Sequence, residues 1–105
     1  MGEKKENQGG IAVATREKIQ VKRPPMFRVI LLNDDFTPMD FVVSILKTIF
    51  QKSEEEAQQV MLEVHHTGFG VAGTYQFDIA ETKAQQVHAV AHKLEHPLRC
   101  SVERE

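Results

Sequence analysis

The stretch MFRVILLNDDFTPMD, residues 26–40, decides how this chain is read. Met26–Leu32 is short, apolar except for Arg28, and stops at a turn cluster, which predicts a strand covered on at least one face. Asn33-Asp34-Asp35-Phe36 is the loop that ends it. Thr37-Pro38-Met39-Asp40 then reads as a helix start. Thr37 is placed to cap, Pro38 suits the first helical position, and Asp40 is placed to return a carboxylate to the cap amide. Met39, Val42, Val43, Leu46, Ile49 and Phe50 follow at helical spacing.

Downstream, Ser53-Glu54-Glu55-Glu56 is a capping box, with three acids in a first turn where the helix dipole favours them. Ala57, Val60, Met61 and Val64 form the buried stripe of a second helix, and Gly68 its C-terminal cap. Phe69, Val71, Gly73, Tyr75, Phe77 and Ile79 alternate as a second strand. A third helix is expected from Glu81 to about Glu95, with Ala84, Val87, Ala91 and Leu94 inward. Pro97 opens a last strand in which Leu98, Cys100 and Val102 share a face. The order β-α-α-β-α-β predicts an α+β domain, three helices packed on a small three-stranded antiparallel sheet.

Upstream, residues 1–25 combine Gly9-Gly10, mixed charge and few large apolar groups, and read as a flexible N-terminal extension ended by Pro24-Pro25. A short amphipathic helix near Ile11–Val21 has no cap to support it. The core domain is then 26–105. The extension carries six bases against three acids, net +3, while the remaining 80 residues carry net −5. An acidic globule repels phosphate backbones, so nucleic-acid binding is disfavoured. No apolar run approaches the roughly 20 residues that span a bilayer, and the start of the chain lacks a signal-peptide core. The lone Cys100 fits a reducing compartment, and a cytoplasmic protein is expected.

The candidate chemistry is sparse. Asn33, Asp34 and Asp35 offer an amide and two carboxylates at a strand end, acceptors for a cation such as an ammonium group, or else a solvated turn bonding its own backbone. His65-His66 closes the second helix, with its imidazoles about 100° apart around the axis. One of them is placed beside the apolar stripe, or both serve the helix dipole. His88, His92 and His96 recur at i, i+4 and i+8 with Cys100 beyond, a weak metal-ligand pattern that Pro97 interrupts. No nucleophile elbow, phosphate loop or dinucleotide fingerprint occurs, which disfavours an enzyme.

Four segments together, LLNDDFTPMDFVVSIL, VMLEVHHTGFGVAG, AETKAQQV and HPLRCSVE, closely resemble the ClpS family, the bacterial and plastid adaptors that deliver N-end-rule substrates to the Clp AAA+ protease. The resemblance runs from about Met26 to the end of the chain. It implies a non-enzymatic adaptor without cofactor or metal, monomeric by default, whose partners are N-degron chains and the N-domain of a ClpA-type unfoldase. By position, the resemblance assigns the substrate's free α-amino group to Asn33, Asp34, Asp35 and His65. It assigns the pocket for a bulky first side chain (Leu, Phe, Tyr or Trp) to Thr37, Met39, Val42, Met61, Val64 and Leu98, with Met39 as the gate against β-branched residues. Asp78, Glu81 and Lys83 become candidate unfoldase contacts. Phe36 stands where Tyr is common, Asp40 for a frequent Glu and Ala72 for a frequent Cys, none at an amino-binding or gate position. The competing expectation is a pocketless interaction domain of the same fold.

Overall fold

A computed structural model describes residues 24–105. Six elements follow one another: β1 (Met26–Leu32), α1 (Met39–Thr48), α2 (Glu54–Thr67), β2 (Phe69–Gln76), α3 (Phe77–Lys93) and β3 (Arg99–Arg104). The sheet has the order β2-β1-β3, antiparallel throughout, so the first strand is central. Its period-2 pattern sends Val29 and Leu31, both fully buried, into the core, while Leu32 is exposed. The helices supply the rest of that core, chiefly Val42, Ile45 and Leu46 of α1, Ala57, Met61 and Val64 of α2, and Ala80, Val87 and Ala91 of α3. The expected α+β architecture of three helices on a three-stranded sheet is the one observed. The expected N-terminal extension lies, through residue 23, outside the described residues.

The boundaries of α2 are where capping chemistry puts them. The Ser53 hydroxyl accepts from the Glu56 amide at 3.1 Å, and the Ser53 amide donates to the Glu56 carboxylate at 2.9 Å. Those bonds hold the Glu56 carboxyl below its ordinary range, the backbone donor at Ser53 first among the causes. At the other end Gly68 takes a left-handed φ of 99° and its amide donates to Val64.

Four local expectations are corrected. Thr37 does not cap α1 and Asp40 closes no capping box. Pro38 is the cap residue and has no side-chain acceptor to offer, while Thr37 stands one residue outside the helix with its hydroxyl donating to Asp34. The alternation read through Phe77 and Ile79 ends at Gln76. There the backbone turns straight into α3, four residues before Glu81, with Phe77 edge-on to Phe27 at 5.1 Å. Leu94 is not inward but 53% exposed, since α3 ends at Lys93. The β1–β2 ladder also slips by one residue between Val29 and Ile30. The extra residue is Ala72, a bulge on β2 whose side chain is fully buried.

Candidate functional site

The loop after β1 and the end of α2 are brought together by strand pairing. Leu32 stands opposite Phe69 in the ladder, and the Asn33 amide continues it by donating to the Gly68 carbonyl at 2.9 Å. Gly68 is the cap of α2, so Asn33 is fixed beside the helix turn that carries His65. Two residues on, Gly70 lets β2 approach the same helix closely. A Cβ there would lie 2.8 Å from Val64 Cγ2.

Asp34 builds the loop. Its Oδ1 accepts from the amides of Phe36 at 2.8 Å and Thr37 at 2.7 Å, and its Oδ2 accepts from the Thr37 hydroxyl at 2.7 Å. Burial alone would push the Asp34 carboxyl up, but the Thr37 hydroxyl, the two amides and the charge of His96 outweigh it and hold it below the ordinary carboxylate value. The carboxylate is therefore ionised and mostly occupied, and its three bonds bend the chain into the start of α1.

One cavity of about 240 Å³ results, lined by Asn33, Asp34, Asp35, Thr37, Met39, Val42, Met61, Val64 and His65. Nine of the ten residues singled out for ligand binding thus share a single hollow. The tenth, Leu98, is 3% exposed in the core and does not line it. The floor is apolar, with Val42, Met61 and Val64 all buried, whereas Met39 at the first turn of α1 is 46% exposed. The amide of Asn33, the carboxylate of Asp35 and the ring of His65 add hydrogen-bonding capacity to its lining. An apolar cavity of about 150 Å³ holds a benzene ring, and drug-sized ligands take roughly 300–1,000 Å³. This hollow is sized for one large side chain and the atoms beside it.

The other singled-out residues lie elsewhere. Asp78 is exposed in the first turn of α3 and Glu81 is half-buried. The Lys83 ammonium turns back onto its own fold, donating to the Ile49 carbonyl at 2.6 Å and to Gln51 Oε1 at 3.3 Å, between the rings of Phe50 and Tyr75. Nothing in the spacing of α3 announces that clamp, because its partners are more than thirty residues away. His88 accepts through Nε2 from the Cys100 amide at 3.1 Å, tying α3 to β3. Burial, with the charge of Glu81, pushes the Cys100 thiol up to about 11, which keeps it protonated and unreactive. Among the described residues no group of three or more His, Cys, Asp or Glu is placed to hold a metal ion, and no helix is long and apolar enough to cross a membrane.

Known proteins resemble this chain in sequence and in fold. The family model of the ATP-dependent Clp protease adaptor protein ClpS matches residues 22–101. The ATP-dependent Clp protease adapter protein ClpS of Nitrosospira multiformis is 54% identical over 94 residues, 90% of this chain and 92% of that one. Its counterpart in Phenylobacterium zucineum is 47% identical over 109 residues, covering both chains in full. Among solved structures, Agrobacterium tumefaciens ClpS2 bound to L-phenylalaninamide superposes with a TM-score of 0.76 at 40% identity, covering 79% of this chain and all of that one. The chain belongs to the ClpS family: it is an adaptor of the ATP-dependent Clp protease and not an enzyme.

Proposed function

We propose that this adaptor binds the free α-amino group and the bulky hydrophobic first side chain of N-degron substrates, Leu, Phe, Tyr or Trp, and delivers them to a ClpA-type unfoldase in the cytoplasm. The observation that carries the reading is that one cavity is lined both by the buried apolar residues Val42, Met61 and Val64 and by Asn33, Asp35 and His65. A similar protein is solved with L-phenylalaninamide, a ligand with an α-amino group and an aromatic side chain.

The chemistry follows from the chain end itself. A free α-amino group titrates near about 7.7–8.0 and is mostly a cation with three donors at neutral pH. The Asn33 amide oxygen, the Asp35 carboxylate and a ring nitrogen of His65 provide acceptors for those donors, and hydrogen bonds to a charged group contribute about 1.5–3 kcal/mol each. Asp34 acts mainly by positioning the loop, since three donors of the loop already occupy it. Burying a Leu or Phe side chain among Val42, Met61 and Val64 adds roughly 1.5–3 kcal/mol. After the cost of association these terms support affinity near the micromolar range, about −8 kcal/mol. Thr37 and Met39 close the mouth, and Met39 rejects a branched Cβ by contact. Leu98 supports the pocket from the core rather than touching the ligand.

Fluorescence anisotropy with a Phe-initiated peptide and its N-acetylated form tests the reading. The free peptide is expected to bind and the acetylated one not; equal affinity for both refutes it. His65→Ala is expected to weaken binding of the free peptide, because one acceptor for the ammonium is lost. The unfoldase contact is placed on the first turns of α3, with Asp78 and Glu81 as its charged part and the protein acting as a monomer. Lys83 contributes by fixing the neighbouring turn. Residues 1–25 are the part of the chain that the unfoldase engages during delivery.

A further inference from the structure

All three helices pack on one face of the sheet, the face that carries Val29 and Leu31. The alternate residues of β1, Arg28, Ile30 and Leu32, belong to the opposite face, which no helix among the described residues covers. Across the ladders Leu32 stands opposite Phe69, and Ile30 lies between Val71 and Ser101. A hollow of about 410 Å³ opens there, lined by Ile30, Leu32, Phe69 and Glu103 with the turn Thr67-Gly68. Leu32 is 37% and Phe69 53% exposed. Glu103 lies along the same face, its carboxylate accepting from the Ser101 hydroxyl at 3.4 Å. The face also holds an unmet donor. Arg28 Nε is buried and has no hydrogen-bond partner among the described residues, and a buried donor without an acceptor is costly.

We propose that this face is covered by the chain's own segment Ile11–Val21. Three observations select that occupant. The first is reach. The described chain starts at Pro24 and enters β1, the central strand of the sheet, at Met26. Residues 22–25 suffice for a reversal, and the segment before them covers about 15 Å if helical or about 33 Å if extended. Arg28 to Leu32 spans roughly 13 Å of strand, so either conformation reaches the hollow. The second is composition. Ile11, Val13, Ile19 and Val21 supply apolar groups, and Glu17 or a backbone carbonyl supplies the acceptor that Arg28 lacks. The third is charge. Residues 1–25 carry net +3 against −5 for the rest. The bases Lys22 and Arg23 closely precede β1, and two acids stand beside its first residues. Glu103 pairs with Arg28 in the ladder, and the Glu105 amide donates to the Met26 carbonyl at 2.9 Å. An unfoldase that engages the segment would draw it off and bare Leu32 and Phe69. That consequence rests on the proposed delivery role; the docking itself does not.

The experiment is methyl NMR on the full chain, on Phe69→Ser, and on the double variant Ile19→Ser with Val21→Ser. In the wild type, nuclear Overhauser contacts are expected from the Ile19 and Val21 methyls to Leu32 and the Phe69 ring. The double variant changes only residues that precede the sheet, and is expected to lose the contacts and to shift the Ile30 and Leu32 methyl signals. Phe69→Ser is expected to lower the ratio of docked to free segment about tenfold, the loss of one half-exposed aromatic side chain. Absence of the contacts in the wild type, or Leu32 signals identical in the wild type and the double variant, overturns the docking. Sedimentation of the same samples separates the segment from a second copy of the chain. Contacts that persist in a monomer on tenfold dilution support the proposal; contacts that fade as a dimer dissociates assign the face to a second copy and overturn it. Peptide affinity plays no part in these readouts, so the cavity reading stands or falls separately.

Discussion

Removing the Asp34 carboxylate is the most direct test of how the site is built. Asp34→Ala deletes three hydrogen bonds at once, from the amides of Phe36 and Thr37 and from the Thr37 hydroxyl. Bonds to a charged acceptor contribute about 1.5–3 kcal/mol, but this loop is largely solvated and water competes, so about 0.5–1.5 kcal/mol each is the appropriate scale. The sum is roughly 2–4 kcal/mol, and for a domain of this size about 1 kcal/mol moves the melting temperature by 4–8 °C. Where only the loop loosens, the loss appears instead as faster amide exchange at Phe36 and Thr37 and as weaker binding, tenfold for each ~1.4 kcal/mol spent reordering it. Thr37→Val isolates the hydroxyl, and Asp34→Asn keeps an acceptor oxygen for the two amides, so both are expected to fall between wild type and Ala. The sign of the pH dependence is determined. The folded Asp34 carboxyl sits below its ordinary 3.8, so its contribution is complete above that value and is lost as pH falls through the folded one. The stability gap between wild type and Asp34→Ala is thus expected to be constant from neutral pH down to about pH 4 and to shrink below it. Equal melting temperature, exchange and peptide affinity in the Ala variant, or a gap that persists undiminished in strong acid, refutes the loop-building role.

Gly70→Ala drives a methyl to 2.8 Å from Val64 Cγ2. It is expected to cost about 1–3 kcal/mol in urea unfolding and to weaken binding of Phe-initiated peptides as Val64 moves into the cavity. Met39→Ala removes an unbranched side chain that is half exposed at the cavity mouth. It is expected to admit Ile- and Val-initiated peptides in a competition assay that the wild type excludes. Lys83→Met keeps much of the aliphatic stem but loses the bond to the Ile49 carbonyl. A destabilisation of about 1–3 kcal/mol in chemical denaturation is expected, because the carbonyl at the end of α1 is left without its charged donor.

Legibility in the sequence followed the range of the interactions. The strand at 26–32, the capping box at Ser53 and the stop at Gly68 were readable because each is set within a few residues. The start of α3 was not. Phe69 to Ile79 alternates without interruption, and no capping side chain marks the change at Gln76; what turns the chain there is packing of Phe77 on Phe27, fifty residues earlier. Thr37 shows the same limit at closer quarters. Its position suits a helix cap, yet the helix starts one residue later at a Pro38 cap, and the Thr37 hydroxyl is turned to a carboxylate three residues back. The bulge at Ala72 has no signal in a run of small residues, because the register is set by the partner strand.

The site divides along the same line, and the division says what kind of recognition it performs. Asn33, Asp34, Asp35 and Thr37 occupy one short segment, and Met61, Val64 and His65 another, so neither alone makes a hollow. The bond from the Asn33 amide to Gly68 joins them, and that bond extends the β1–β2 ladder. The backbone at the rim is consequently tied to the sheet, and the acceptors stand around one hollow before a ligand arrives. A preorganised set of acceptors favours a compact cation over a flexible neutral amide, because the amide would leave some of them buried and unpaired. The half-exposed Met39 is the adaptable part of an otherwise fixed wall. Fixed acceptors with one yielding side chain predict strict reading of the amino group and tolerant reading of the unbranched side chain. A peptide series in which the identity of the first side chain matters more than acetylation of its amine would contradict that order.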